Sequence, residues 1–339
     1  MKSRFLSHSL IAACLAILSL GFHAKTWAGV DAFERIFFFG DSLSDAGNIF
    51  AITGETAQPP YDIIPSRPYD IDGYQFSNGK TWAQWFARHL ELKRSGQAAL
   101  FAQGTNGNYA YGGARARNSE GAAPSSHAQL ALFLQDYHDR IDPAALYVIQ
   151  FGGNDIRDAI EKFFQVIGSN PHDPTIFNEA SQQAGLIIQA AVTANIELIE
   201  KLYNNGNGAN HFLVVNAPNL ALTPAIQGLG SQPAFIANMI SGSYNDGLAA
   251  GVSTVTSLPG ISINHLDLFS LINSIVEDPR SFGINNAQLP CLIFSPAADG
   301  SPKAYSYCSK PNKYLFWDGI HPTAKIHKIV SEAAESIYQ

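Results

Sequence analysis

Short runs of apolar residues alternate along the chain with longer stretches in which apolar positions recur at helical spacing. Four of the short runs are typical of buried strands in a parallel sheet. They cover residues 36–39, 145–150, 211–216 and 261–268. A further strand is predicted over residues 108–114, where the chain runs into a glycine turn. Helical spacing covers residues 81–92, 180–202 and 323–338. Strands that alternate with helices, without an internal repeat, predict one doubly wound α/β/α domain.

Three of the predicted strands lead into glycine-containing turns that carry polar residues. Ser42, Gly113 and Asn154 each follow such a strand. Because ligands bind outside the carboxyl ends of parallel strands, these three residues are expected along one edge of the sheet. Asp318 and His321 precede the last predicted helix, at a spacing that lets one short turn hold both side chains on the same side.

These residue types fit nucleophilic catalysis by a serine. Ester hydrolysis by serine needs a base that takes the hydroxyl proton, an acid that orients the base, and donors for the oxyanion. His321 is the candidate base, Asp318 the candidate acid, and Asn154 with backbone N–H groups the candidate donors. Two structural alternatives stay open: Ser42 as an ordinary turn serine, and Asn154 as the N-cap of the helix that follows it.

Four sequence blocks together resemble the GDSL, or SGNH, hydrolases. The blocks are residues 39–48, 108–114, 152–155 and 318–323, in the order found in that family. The resemblance implies a three-layer, flavodoxin-like α/β/α fold with a parallel sheet. It implies Ser42 as the nucleophile, with Asp318 and His321 completing the triad. The oxyanion donors that it implies are the Ser42 N–H, Gly113 and Asn154.

Two successive glycines compete for the second oxyanion position. Gly113 is preferred because it stands directly before Ala114, where the donor of the family usually stands, and Gly112 is the rival. Asp45 and Asn48 lie in the turn of the candidate nucleophile. They are expected to brace that turn through hydrogen bonds from side chain to backbone, and they are not candidate catalytic groups.

The last block and the cysteines ahead of it are similar to a secreted bacterial branch of the family, known as phospholipases, lecithinases and hemolysins. That branch includes lysophospholipases A and glycerophospholipid–cholesterol acyltransferases. The resemblance implies a lysophospholipid or phospholipid acyl ester as the substrate, a sterol as an alternative acyl acceptor, and no cofactor. A bridge between Cys291 and Cys308 would pin the loop that carries Asp318 and His321. A carbohydrate or small-ester esterase of the same fold and a non-catalytic binding module are the alternatives.

The first 28 residues are expected to be a cleaved secretory signal peptide. Lys2 and Arg4 precede an almost wholly apolar run over residues 10–22, and small residues allow cleavage after Ala28. That run is too short to span a membrane comfortably, and no later segment qualifies. The sequence therefore predicts a single hydrolase domain over residues 29–339, periplasmic or extracellular, without a transmembrane anchor.

Charge and cysteine usage narrow the function classes. The chain has 21 basic and 28 acidic residues, and three basic residues but no acids fall in the signal segment, so the mature chain carries a formal charge of −10. That charge argues against nucleic-acid binding, which needs a basic face. Cys291 and Cys308 are expected to pair in an oxidising compartment. Two cysteines alone do not make a four-ligand zinc site, so no metal is expected.

Three further features bear on the surroundings of the candidate site. Arg115 and Arg117 follow the glycine block and could meet a phosphate head group, or they could be paired with acids. Residues 53–79 are rich in Pro, Gly, Asp and Tyr, which predicts a long irregular loop near the site, and long loops in compact domains often serve binding. His327 lies beyond the last block, off the helical face of the candidate base, and is expected at the surface.

Overall fold

The computed structural model describes residues 33–53, 69, 74–118, 123–204, 208–295 and 304–339. The predicted signal segment and most of the loop predicted over residues 53–79 lie outside this part of the chain. Cleavage after Ala28 and the domain boundary that follows from it therefore stay predictions. Within the described ranges, no helix has the length and apolarity needed to cross a bilayer. The same ranges contain no group of three His, Cys, Asp or Glu side chains placed to hold a metal ion.

A parallel sheet of four strands forms the centre of the fold, and the strands lie side by side in chain order. They are β1 (Ile36–Gly40), β2 (Leu146–Gln150), β3 (His211–Val215) and β4 (Ser262–Leu266). Ile36 lies opposite Leu146, and Leu146 lies opposite His211, so the strands are in step and end at a common edge. The first two strands are buried throughout, as expected for a parallel sheet that is covered on both faces.

Helices cover both faces of this sheet and complete three layers. They are α1 (Asn48–Thr53), α2 (Trp82–His89), α3 (Ser126–Asp136), α4 (Gly153–Ser169), α5 (Ile176–Asn204), α6 (Pro224–Gln227), α7 (Ser231–Val255), α8 (Leu268–Glu277) and α9 (Ala324–Ser336). Phe37 and Phe39 of β1 belong to the core cluster with α3, α4, α5 and α7. Ile36 and Phe38 alternate with them and belong to the cluster with α2, α8 and α9. The predicted α/β/α architecture is confirmed.

The strand predicted over residues 108–114 is not a strand in the structure. Asn108 makes a single parallel bridge to Phe38 of β1, and the described residues after it form no ladder. On its other side, the side-chain amide of Asn48 donates to the carbonyl oxygens of Asn108 and Ala110, at 2.7 and 2.9 Å. The N–H groups of Tyr109 and Tyr111 still donate to the carbonyls of Phe38 and Gly40, at 2.8 and 3.1 Å. The N–H of Gly40, however, donates to Oε1 of Gln129 at 2.9 Å and not to this segment, so the ladder does not continue beyond the single bridge.

A small region of short strands lies beyond the main sheet, near the end of the chain. It consists of β5 (Asn286–Pro290), β6 (Leu292–Ser295), β7 (Ala304–Tyr307) and β8 (Tyr314–Phe316). β5 pairs with β8 in parallel, and β6 pairs with β7 as an antiparallel hairpin. The expected disulfide between Cys291 and Cys308 is present and closes this hairpin region. β8 then leads directly into the segment that carries Asp318 and His321.

Candidate active site

The Ser42 turn, residues 41–47, begins where β1 ends. A Cβ at Gly40 would lie 2.6 Å from the Gln150 carbonyl oxygen, so the close approach of β1 and β2 at this edge requires glycine. The turn is closed by two backbone N–H groups that donate to the Asp41 carbonyl, at 3.0 and 3.1 Å. Ser42 is thereby held at the carboxyl edge of the sheet, with 9 % of its surface exposed.

A buried carboxyl group directly precedes the candidate nucleophile. Oδ1 of Asp41 accepts hydrogen bonds from the Leu43 N–H and from Nε2 of Gln150, both at 3.0 Å. Burial raises the pKa of Asp41 above its usual range, while these two hydrogen bonds and the charges of His321 and Arg157 act in the opposite direction. The side chain of Asp41 therefore ties the turn to β2.

A second buried carboxyl group braces the turn from inside. Oδ1 of Asp45 accepts from the N–H groups of Gly47 and Asn48, both at 2.7 Å, and Oδ2 accepts from the Gly112 N–H at 2.8 Å. Burial raises the pKa of Asp45 to about 6, against the effect of these hydrogen bonds. Asp45 connects the turn to the glycine block, and with Asn48 it makes the bracing contacts that the sequence predicts.

The structure brings Ser42, His321 and Asp318 into one hydrogen-bonded chain. Nε2 of His321 lies 2.9 Å from Oγ of Ser42, and Nδ1 of His321 lies 2.7 Å from Oδ2 of Asp318. Asp318 and His321 are 1 % and 4 % exposed. Residues that are far apart in sequence thus have the relative positions of a nucleophile, a base and an orienting acid.

The carboxylate of Asp318 is held ionised by its surroundings. Burial favours the protonated acid, but the His321 charge, its ring hydrogen bond and two backbone donors outweigh burial and lower the pKa of Asp318. The backbone donors are the N–H groups of Ile320 and His321, which lie 2.8 and 2.6 Å from Oδ1. The Asp318–His321 loop (residues 318–321) is therefore folded around this carboxylate.

Tyr69 is a site residue that sequence reasoning missed. Its hydroxyl donates to Oδ2 of Asp318 at 2.7 Å, the same oxygen that faces the His321 ring. The ring of Tyr69 is 2 % exposed and packs edge-on against Trp317. The only sequence signal was its position in a Tyr- and Pro-rich loop near the predicted site, which does not single out one tyrosine.

Backbone geometry separates the two glycines that compete for the oxyanion position. The N–H of Gly112 is already bonded to Asp45, and a Cβ at Gly112 would collide with the Phe76 ring at 2.1 Å. Gly113 has φ +79°, which favours glycine, and its N–H has no acceptor among the described residues. Gly113 thus has the available donor, and so has Ser42, whose N–H likewise lacks an acceptor in that part of the chain.

The side chain of Asn154 turns away from the helix that it begins. Asn154 lies in the first turn of α4, yet Nδ2 donates to the Ala114 carbonyl at 2.9 Å, and Gly152 holds the cap position without a side-chain bond. The N-cap interpretation of Asn154 is therefore wrong. The bond to Ala114 orients the amide next to Gly113 and leaves the second N–H of the amide for another acceptor.

A cleft of about 80 Å³ opens at the candidate nucleophile. Ser42, Asn154 and His321 line it together with Asp41 and Arg157. The rest of its wall is mostly apolar and consists of Leu43, Gly153, Pro218, Leu220, Thr223, Ala225, Ile226 and Ile320. Among the described residues of this wall, Arg157 is the only lysine or arginine. The described wall of the cleft therefore offers a candidate nucleophile, hydrogen-bond donors, an apolar side and one fixed positive charge.

Arg115 and Arg117 are paired with acids in the structure. Arg115 makes a two-point contact with Asp158, at 2.7 and 3.0 Å, and donates to the Gly113 carbonyl at 2.8 Å. Arg117 bonds the same Asp158 and lies 3.4 Å from Asp155. These pairs favour the structural interpretation of both arginines over head-group binding.

The disulfide region packs against the strand that precedes the Asp318–His321 loop. Cys291 and Leu292 donate their N–H groups to the carbonyls of Phe316 and Trp317, at 3.0 and 2.6 Å. Cys291, Leu292 and Trp317 share a buried cluster with Tyr69. The disulfide and the tyrosine therefore support the same short segment.

Comparison with known proteins identifies a family over nearly the whole described chain. Residues 36–334 match the family model of the GDSL-like lipases/acylhydrolases. The chain is 26% identical to a GDSL esterase/lipase of Arabidopsis thaliana over 343 aligned positions, which cover 88% of this chain and 83% of the plant protein. It is 25% identical to another GDSL esterase/lipase of the same plant, over 88% of this chain and 84% of the relative.

A third similar protein is longer than this chain. The anther-specific proline-rich protein APG of Arabidopsis thaliana is 25% identical over 328 aligned positions, which cover 88% of this chain. The chain spans 60% of the length of that relative.

Proposed function

The chain belongs to the GDSL-like lipase/acylhydrolase family, which indicates a hydrolase of esters, and we propose that Ser42 carries the reaction as an acyl-enzyme. The observation that carries this proposal is the hydrogen-bonded chain from Ser42 through His321 to Asp318. These three side chains need no rearrangement before Ser42 attacks an ester carbonyl, because Nε2 of His321 already faces Oγ of Ser42.

In the first half of the reaction, His321 takes the proton of the Ser42 hydroxyl while Oγ bonds to the ester carbonyl carbon. Asp318 holds the imidazole in place and stabilises its positive charge. The carbonyl oxygen becomes an oxyanion, which accepts hydrogen bonds from the N–H groups of Ser42 and Gly113 and from Nδ2 of Asn154. The carbon–oxygen bond to the alcohol then breaks, and His321 gives its proton to the departing alkoxide.

In the second half, water repeats the sequence on the acyl-enzyme. His321 takes a proton from the water, the hydroxide attacks the acyl carbon, and the same donors bind the oxyanion. Collapse of this intermediate breaks the bond to Oγ of Ser42, which regains its proton from His321. The carboxylic acid leaves and the enzyme returns to its starting state.

The proposed substrates are lipid acyl esters, namely lysophospholipids and phospholipids. The apolar wall of the cleft, with Leu43, Leu220 and Ile226, supports an acyl group with a hydrocarbon chain. A disulfide directly ahead of the last block supports a likeness to the secreted bacterial phospholipase branch. The same proposal includes the roles given above to Ser42, His321, Asp318, Gly113 and Asn154. It also includes export of the protein, with residues 1–28 as the signal peptide.

Release of fatty acid by the purified protein tests this function. The substrates are lysophosphatidylcholine, phosphatidylcholine and a short-chain aryl ester, each with and without cholesterol. Release mainly from the lysolipid is the expected result and identifies a lysophospholipase. Cholesteryl ester among the products would identify an acyltransferase instead, and activity on the aryl ester alone would refute the lipid substrate.

A further inference from the structure

Arg157 stands next to the proposed oxyanion donor on the same helix. It follows Asn154 by three residues in α4, so their Cβ atoms lie about 5–6 Å apart on one helix face. Both side chains line the cleft that opens at Ser42. The Arg157 side chain is 23 % exposed, which places a permanent charge at the wall of the cleft and not in the core.

One ion pair of Arg157, with an exposed glutamate on the same helix, is weak. Its Nε lies 3.8 Å from Glu161, one turn further along α4, and Glu161 is 64 % exposed. Pairs of this kind on a helix surface contribute little to stability. Arg157 also interacts elsewhere in the chain, and with five N–H donors it can hold a further anion in addition to its contacts within the protein.

Among the described residues, the acid that lines the same cleft is Asp41, and its burial favours the neutral, protonated form. Asp41 is buried, which raises its pKa, and Oδ1 of Asp41 is already bonded to the Leu43 N–H and to Gln150. The other described residues that line the cleft are uncharged apart from Arg157 and His321. Arg157 is therefore the place in the cleft where an anionic part of a substrate would be favoured.

We propose that Arg157 binds the phosphate of a lysophospholipid whose ester carbonyl lies between Ser42 and Asn154. The inference rests on the proposed ester hydrolysis and names the substrate part that is recognised. In a lysophospholipid the phosphate is separated from the ester by a glycerol unit, a spacing that suits a long side chain one helical turn beyond the oxyanion donor. Guanidinium–phosphate hydrogen bonds are charge-assisted and stronger than neutral ones.

The arginines that the sequence offered for this role differ from Arg157 in their partners. Arg115 and Arg117 share the carboxylate of Asp158, and Arg117 also faces Asp155. Binding a phosphate there would break close ion pairs that are four-fifths buried.

The test compares two substrates that differ only in the phosphate-bearing group: octanoyl lysophosphatidylcholine and octanoyl monoacylglycerol, both below their aggregation limits. The measured quantity is the ratio of their kcat/KM values. Arg157→Gln in the full chain is expected to lower this ratio about 10- to 100-fold, the usual range for a lost hydrogen bond to a charged group. Arg157→Lys should recover part of the loss, because the charge remains.

Two controls separate phosphate binding from other effects. Arg140→Gln removes one positive charge from an exposed position outside the cleft and should leave the ratio unchanged. Glu161→Gln removes the exposed partner of Arg157 and should leave the ratio unchanged or raise it slightly. If Arg157→Gln lowers both kcat/KM values equally, Arg157 only positions Asn154 or balances Asp41, and the inference is wrong.

Failure of the proposed function gives a different result. A wild-type protein that hydrolyses neither ester would contradict ester hydrolysis itself, and the Arg157 inference with it. A wild-type protein that hydrolyses both esters, with a ratio that Arg157→Gln does not change, would overturn the Arg157 inference alone. Free inorganic phosphate is the third arm: it should inhibit the wild type more than Arg157→Gln with the monoacylglycerol as substrate, and equal inhibition would count against the inference.

Discussion

The Ser42 turn and the Asp318–His321 loop meet at one hydrogen bond of 2.9 Å but are anchored in different parts of the fold. The turn continues β1, a fully buried strand of the main sheet, and its acids bond β2 and the glycine block. The loop lies beyond the main sheet, where β8, the disulfide region and Tyr69 hold it. The proposed nucleophile thus depends on the core of the domain, whereas the proposed base depends on the disulfide region and on Tyr69, which is distant in sequence.

The buried acids of the two regions also differ in the direction of their pKa shifts. Burial dominates at Asp41, Asp45 and Asp155, and it raises their pKa values. At Asp318 the His321 charge and several hydrogen bonds outweigh burial, and the pKa is lowered. The acids beside the sheet are therefore braces that tolerate a proton, whereas the acid of the loop stays charged and can stabilise an imidazolium.

The largest expected effect is that of Ser42→Ala. Removing the attacking oxygen should lower kcat/KM about 10⁴- to 10⁶-fold on an aryl ester, because the acyl-enzyme cannot form. The thermal unfolding midpoint should change little, because the Ser42 turn is closed by its backbone and not by the hydroxyl. Activity within tenfold of the wild type would assign the nucleophile elsewhere.

Asn154→Ala removes an oxyanion donor and leaves the proposed triad in place. We expect kcat to fall about 10²- to 10³-fold with a much smaller change in KM, because the lost hydrogen bond forms with the oxyanion. Steady-state kinetics on the same ester measure both constants. A change confined to KM would show that Asn154 binds substrate and does not stabilise the transition state.

The variant Asp155→Asn tests how the buried acids beside the sheet make the stability of the protein depend on pH. Burial raises the pKa of Asp155 to about 7, so below that pH the folded protein holds a proton that the unfolded chain loses near pH 4. The folded state binds more protons in this window, so the free energy of unfolding falls as the pH rises. Denaturant titrations measure the free energy of unfolding at pH 4 and at pH 7. From pH 4 to pH 7, this free energy should fall by on the order of 4 kcal/mol more in the wild type than in Asp155→Asn. A difference independent of pH would contradict the raised pKa.

The double variant Cys291→Ser, Cys308→Ser tests how far the disulfide holds the Asp318–His321 loop in place. Loss of the bridge should lower the free energy of unfolding by about 2–4 kcal/mol and lower kcat, because the strand before Asp318 loses a covalent link. Reductant should reproduce both effects in the wild type and add nothing in the double variant. An unchanged kcat would show that β8 and Tyr69 hold the loop without the bridge.

The smallest effect is expected for Tyr69→Phe. One hydrogen bond to Asp318 is lost, which should lower kcat/KM about fivefold. The acidic limb of the pH–rate profile should move to higher pH, because the Asp318 carboxylate with one donor fewer attracts the protonated imidazole more strongly. Tyr307→Phe is the matched control, since Tyr307 is exposed and packs near Trp317. A pH profile equal to that of the control would limit Tyr69 to packing.

The sequence was sufficient for the strands of the main sheet and for the blocks at their ends. Continuous apolar runs bounded by turn residues predict β1 to within one residue of its observed bounds, because a strand buried on both faces needs such a run. Residues 108–114 also have the pattern of a strand, but the ladder with β1 stops because Oε1 of Gln129, in α3, accepts the N–H of Gly40 that would continue it. A side chain from another element decides this outcome, and no local pattern reports it.

Contacts between distant residues were the other part that could not be predicted. His327 was expected at the surface and is 1 % exposed, because its Nδ1 accepts from the Trp82 N–H at 3.2 Å, 245 positions away in the chain. Tyr69 reaches Asp318 over 249 positions, and Arg157 lines the cleft from α4, one helical turn after Asn154. Motif spacing is sufficient to predict the candidate reacting groups, whereas the residues proposed to orient them and to bind the substrate depend on the assembled fold.

The central claim is that Ser42 is the nucleophile, and covalent labelling tests it most directly. The purified protein is treated with a fluorophosphonate ester, digested, and analysed by mass spectrometry, with Ser42→Ala treated in parallel. The account predicts one phosphonyl adduct, on the peptide that contains Ser42, with loss of ester hydrolysis in proportion to labelling and no adduct in the variant. An unlabelled wild-type protein, or an adduct on another residue, would contradict it.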